Sequence, residues 1–206
     1  MPGAREIDLF TAAHAAAQSR AGHPVGVVCD LVSGPRPGAG FAPVNVAGTR
    51  ELIAGDPVIA DVGVGAAVWA DSARTLFVGA PSDASDASDA SDPEVTGARD
   101  AVTEVLDGVA ALLAPGTPCS EVHDRVSAAI RERLPGWEFP HHAGHGVGPT
   151  VFDDPHLIPA DGTLLEAGMV LAVEPGAYRP GRHGVRVEDM FVVSRHGGVR
   201  LTGDAR

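Results

Sequence analysis

The chain has no lysine, and all fifteen of its basic residues are arginine. That excludes lysine Schiff-base chemistry and a P-loop lysine. Aromatic residues make up only 4%, so a core must be built mostly from Val, Leu, Ile and Ala. Two cysteines, Cys29 and Cys119, lie far apart and form neither a CxxC pair nor a disulfide framework. They read as buried or free thiols in a reducing compartment. No apolar run reaches the roughly 18 residues of a membrane span. The opening MPGAREIDLF has no apolar stretch of the secretory type, so a cytoplasmic protein is expected. Positive charge is scarce as well. The formal charge of −12 argues against a nucleic-acid or anionic-membrane partner. What remains is 206 residues, 44% of them hydrophobic, enough for one domain over 1–206 with a sizeable core.

Periodicity places a helix over residues 4–20, with Ile7, Phe10, Ala13, His14 and Ala17 on one face. PVGVVCDLV (24–32) and DPVIADVGV (56–64) read as strands. AAVWADSARTLFVG follows as the return strand of an antiparallel hairpin. Residues 82–92 repeat the unit SDA three times and read as a flexible, solvated insert. Helices are expected over 93–113, with Pro93 in the first turn, and over 119–134, with Ser120 as N-cap. Further on, 167–178 and 183–203 read as strands and hairpins. The order of elements favours an α+β domain, an antiparallel sheet with helices covering one face.

Four carboxylates interrupt apolar strands: Asp61, Asp71, Glu174 and Glu188. Burying an unpaired carboxylate costs several kcal/mol. Arg74 and Arg186 are the nearby cations, so a shared positive partner is indicated. His145 stands between two glycines, which are expected to let the backbone approach whatever the imidazole binds. Four oxygen ligands and one nitrogen suit a pair of divalent ions such as Mn²⁺, Fe²⁺, Co²⁺ or Zn²⁺. Spacing and composition by themselves lean the other way, toward four separately satisfied surface or capping carboxylates.

Five segments, GDPVIADVGVGAAVWADSARTLFVG, HHAGHGVG, LEAGMVLAVEPGAY, GVRVEDMFVV and LTG, resemble the pita-bread metallopeptidases. That family includes methionine aminopeptidases, Xaa-Pro aminopeptidases, prolidases and creatinase. The likeness runs from about residue 4 to 203, and its wording is closest to the Xaa-Pro branch. The resemblance implies a curved antiparallel sheet with helices on its outer face and two divalent metal ions. It implies Asp61 chelating one metal, Asp71 and Glu188 bridging both, and His145 with Glu174 on the other. A metal-bridging hydroxide would attack an N-terminal peptide bond, and Glu174 would move the proton to the leaving amine. His141 corresponds to a histidine near the substrate carbonyl, and Arg186 to an arginine supporting the carboxylates. By this reading His142 is a bystander. A peptide substrate and a possible homodimer are also implied.

Departures from the family pattern bear on these expectations. Phe152 stands where a substrate-binding histidine is usual, with His156 four residues on as a candidate substitute. A second usual histidine is absent from GFAPVNVAG, where Val44 lies near its place. The ten-residue interval from Asp61 to Asp71 is one shorter than usual, which threatens to turn Asp71 to the opposite face. The chain also starts inside the family's domain, so an N-terminally shortened fold is expected. These departures keep open a degenerate member that binds metal or peptide with little catalysis. A metal-free, creatinase-like C–N hydrolase is the remaining alternative.

Overall fold

A computed structural model describes residues 2–39, 46–79 and 91–203. Val44 and most of the SDA insert lie outside them. The chain opens with α1 (Glu6–Ala21), whose Ile7, Phe10, Ala13, His14 and Ala17 form the half-buried face. Glu6 is fully buried at its start and accepts from the Ser33 and Gly48 amides and the Ser33 hydroxyl, with Arg36 as ion-pair partner. Those bonds satisfy a buried charge and fasten α1 to the end of β1 (Gly26–Ser33). β1 pairs with β2 (Pro57–Gly65), which pairs on its other edge with β3 (Trp69–Ala70) and β4 (Ala73–Phe77), all antiparallel.

Two helices follow, α2 (Pro93–Gly108) and α3 (Cys119–Arg133). The Asp92 side chain accepts the Glu94 amide at 2.9 Å and caps α2. Ser120 does not cap α3. Pro118 is the N-cap, and the Cys119 and Ser120 amides donate instead to the Thr163 and Asp161 carbonyls at 2.9 Å. The crossing loop satisfies those first-turn donors, so no side-chain cap is required.

The rest of the chain builds β5 (Gly144–Gly146), β6 (Asp153–His156), β7 (Val170–Val173), β8 (Gly176–Arg179), β9 (His183–Arg186), β10 (Asp189–Ser194) and β11 (Gly197–Arg200). Five of these form a sheet in the order β11-β10-β7-β5-β6, and β8 pairs with β9. The expected continuous strands are broken where carboxylates fall. Asp71 lies between β3 and β4, Glu174 between β7 and β8, and Glu188 between β9 and β10.

The register is nevertheless uninterrupted across these breaks. Met190 pairs with Ala172 and Asp189 with Val173, and beyond the break Gly176 pairs with Arg186 in the same alignment. Glu174 and Glu188 therefore stand opposite one another on one face. Odd-numbered Val173, Ala177, Val185 and Val187 turn the other way, into the main core with Val102, Leu106, Val122 and Ile130 of the helices. The first sheet follows the same rule. Cys29, Leu31 and Val58 pack beneath α1, while Val32 and Ile59 turn inward against Tyr178. The two inner faces are joined where the Glu188 amide donates to Ala73 O at 2.9 Å and the Arg186 amide to Thr75 Oγ1 at 2.9 Å.

Candidate metal centre

The same alternation sets the wall of a recess between the two inner faces. Asp61 pairs with Ala73 in β4, and Val64 with Ala70 in β3. Both pairings belong to one register, so Asp61 and Asp71 share a face. The shorter hairpin keeps Asp71 pointing inward, because the turn at residues 66–68 closes without shifting the strands. Opposite Asp61 on β1 is Asp30, a further carboxylate that lines the recess and that motif reading passed over. Alternation within GVVCDLV, with Val28, Asp30 and Val32 on one side, is the signal that finds it.

Asp71, His145 and Glu188 each offer a ligand atom within 4.8 Å of the others, and all three are buried. Asp61, Glu174 and Arg186 line the same recess, which has room for several waters at about 80 Å³. Among the described lining residues Arg186 is the only permanent cation. Its Nη1 lies 2.7 Å from Asp61 and 3.7 Å from Glu174. Arg74 turns away, pairing with Asp189 at 2.7 Å and donating to the Glu188 carbonyl.

One guanidinium does not balance this much negative charge. Burial, and then the charges of Asp61 and Glu174, push Asp71 up to about 8. Glu174 is also pushed up to about 8, by burial chiefly, with Arg186 pulling the other way. Glu188 is raised well above the carboxylate range by burial and by the charges of Asp61, Glu174 and Asp71. Its Oε2 is buried with no hydrogen-bond partner among the described residues. His145 completes the set. Its Nδ1 lies 2.9 Å from Gly146 O, and a carbonyl only accepts, so Nδ1 carries the proton. Nε2 is left as a lone pair facing Asp71 at 3.8 Å and Glu174 at 3.7 Å, too far for hydrogen bonds. Burial depresses this imidazole to about 4, which keeps it in its neutral form. An orphaned carboxylate oxygen, a fixed lone pair and uncompensated negative charge fit divalent cations.

The glycines flanking His145 have a different role from the one expected of them. A Cβ on Gly144 would meet Ala172 O at 2.1 Å, and one on Gly146 would meet Asp154 O at 2.2 Å. They admit β5 between β6 and β7, and the imidazole is held where the sheet puts it. His141 is buried, with Nδ1 2.7 Å from His142 O and Nε2 3.0 Å from Tyr178 Oη. Arg186 Nε donates to the same Tyr178 oxygen at 3.1 Å. The result is a chain from His141 through Tyr178 and Arg186 to Asp61. Tyr178 was not singled out in the sequence. Its slot exists because Gly184 faces it, where a Cβ would lie 2.3 Å from the ring.

His142 is not a bystander. Its Nδ1 lies 3.0 Å from Gly144 O and its Nε2 3.4 Å from Glu174 Oε1, inside the recess. Phe152 is half exposed, with its ring 4.4 Å from that of His145. His156 lines a neighbouring groove and does not reach the recess.

Fold and site together define a pita-bread domain built around a buried carboxylate–imidazole cluster. The chain belongs to metallopeptidase family M24, which it matches over residues 1–195. It is 32% identical over 204 residues to "Probable dipeptidase PepE" of Mycobacterium tuberculosis, covering 98% of this chain and 50% of that protein. To the "Xaa-Pro dipeptidase" of Pyrococcus furiosus it is 32% identical over 168 residues, covering 80% of this chain and 44% of that one. The solved "Prolidase from Pyrococcus furiosus" superposes with a TM-score of 0.83 at 27% identity, covering all of this chain and 58% of the neighbour. The chain thus spans about half the length of the curated relatives it matches. Among the described residues no helix is long and apolar enough to cross a membrane.

Proposed function

We propose that the domain is a metal-dependent peptidase that hydrolyses the bond after an N-terminal residue, of the Xaa-Pro dipeptidase or aminopeptidase type. One observation carries this reading: Asp71, His145 and Glu188 converge within 4.8 Å beside Asp61 and Glu174, with one arginine against all that charge. In this reading Asp61, Asp71, His145, Glu174 and Glu188 hold two divalent cations, and the oxygen-rich set suits manganese. When bound, such cations lower the pKa of a water and polarise the scissile carbonyl. The chain's own groups do the rest. Arg186 holds Asp61 in place through a 2.7 Å contact, and the His141–Tyr178 pair holds Arg186. Glu174 directs Oε2 toward Arg186 and Oε1 into the recess, where that oxygen can carry a proton to the departing amine. Cys29 and Cys119 are buried and unpaired, which supports a reducing, cytoplasmic setting.

A second reading, a domain that binds cation or peptide without turnover, is favoured by Phe152, which offers no hydrogen bond beside His145. One experiment decides between them. The purified protein is dialysed against EDTA, reloaded with Mn²⁺ or Co²⁺, assayed for bound metal, and given Ala-Pro, Ala-Pro-Phe and Ala-Ala-Phe. Bound metal with release of free alanine supports the peptidase. Bound metal with no cleavage leaves the binding reading, and absence of tight metal binding defeats both metal-based readings.

A further inference from the structure

We propose that His142 binds the substrate backbone on the leaving-group side of the scissile bond. This rests on the peptidase reading of the recess. Next to the carboxylate recess lies a wider, open groove of about 630 Å³ walled by Phe139, Pro140, Ile158 and Pro159. Apolar walls with a few polar groups are the usual form of a site for a small organic ligand. Two residues, His142 and Phe152, line both the groove and the recess. A peptide whose first residue enters the recess can extend through this junction into the groove. Phe152 supplies apolar contact there and nothing else.

His142 is the polar side chain at the junction, and its orientation is fixed. The Nδ1–H of His142 donates to the Gly144 carbonyl at 3.0 Å, which leaves Nε2 as an acceptor. Nε2 points to the oxygen of Glu174 nearest it, 3.4 Å away. A nitrogen leaving the scissile bond and gaining a proton near Glu174 Oε1 would present an N–H to this acceptor. His141 is less suited to that contact, since both of its ring nitrogens already lie within hydrogen-bond distance of His142 O and Tyr178 Oη. The ligand class is an unblocked peptide with an apolar residue after the cleaved bond.

The test compares wild type with His142→Ala and His142→Gln, each loaded with Mn²⁺ and checked for metal content and thermal melting. For Ala-Ala-Phe, kcat/KM should fall roughly three- to tenfold in His142→Ala, the worth of one hydrogen bond, with unchanged metal content. Recovery of part of the loss is expected in His142→Gln, whose amide oxygen can accept. A second readout needs no turnover. In EDTA-treated protein the His142 ring carbon–proton signal, identified by its absence in both variants, should shift on titration with Ala-Ala-Phe. The exposed His23 signal should not move. Unchanged kcat/KM in His142→Ala, or an unmoved His142 signal, overturns the assignment. Should wild type cleave nothing while the His142 signal still shifts, the hydrolytic reading falls and the peptide contact stands.

Discussion

Among the described residues, two places bring three metal-ligating side chains within 4.8 Å of one another: Asp71, His145 and Glu188 in the recess, and Asp92, Glu94 and His183 at the start of α2. By distance they are alike. At the second, however, Glu94 pairs with Arg179 and lies 3.7 Å from Arg182, and Asp92 is spent capping the helix. The positive end of the helix dipole also disfavours a cation there. In the recess Arg186 is the only arginine among the described lining residues and faces Asp61, Asp71, Glu174 and Glu188, and Glu188 Oε2 has no hydrogen-bond partner among the described residues. Ligand proximity is common on an acidic surface. At the start of α2, His183 Nε2 also lacks a hydrogen-bond partner among the described residues, so an orphaned atom alone does not tell the two places apart. Several buried carboxylates facing one arginine do, against carboxylates already matched by two arginines and a helix cap.

The largest effect expected is on the recess itself. Arg186→Met removes the buried partner of Asp61 and should destabilise the metal-free protein by about 3 kcal/mol, read by urea unfolding. A loss well under 1 kcal/mol would mean that the carboxylates do not depend on that charge. Next, Asp71→Asn and Glu188→Gln should each lower cation affinity by at least about 100-fold, since even outer partners of a ligand cost 10–100-fold. Metal retained at wild-type stoichiometry after dialysis would remove them from the ligand set.

pH gives a smaller effect of definite sign. In the folded protein burial pushes Asp71 and Glu174 up to about 8, from ordinary values of 3.8 and 4.5. The folded metal-free protein therefore binds more protons than the unfolded chain, and these groups lose stability as pH rises toward 8. His145, depressed to about 4 from 6.5, acts oppositely but only below about 6.5. Between pH 6.5 and 8 the EDTA-treated protein should lose on the order of 2 kcal/mol, and Mn²⁺ should reverse the trend by displacing those protons. Melting curves flat across that range would count against buried carboxylates short of positive charge. The smallest effect sharpens the contrast from the other side. Asp92→Ala should cost about 1 kcal/mol as a lost N-cap and leave metal content unchanged. Any metal lost with it would put a cation at the α2 terminus.

Much of this was legible in the chain. Apolar periodicity marked α1, α2 and α3, and carboxylates in apolar strands marked Asp61, Asp71, Glu174 and Glu188. Where the reading missed, the reason was a contact between distant segments. Ser120 lost its expected cap role to carbonyls at 161 and 163. The glycines around His145 answer to neighbouring strands rather than to a ligand. Tyr178 is found only through the register that sets Gly184 across from it.

Two-residue alternation along each strand determined which side chains share a face, because successive side chains in a strand point opposite ways whatever the rest of the fold does. Constant registers carried that alternation through the breaks at Asp71, Glu174 and Glu188. Tertiary structure decided that the two inner faces meet, that Arg186 reaches Asp61 and Arg74 does not, and that His142 looks into the recess. Such outcomes depend on distances between segments far apart in the chain, which only packing of the whole domain fixes.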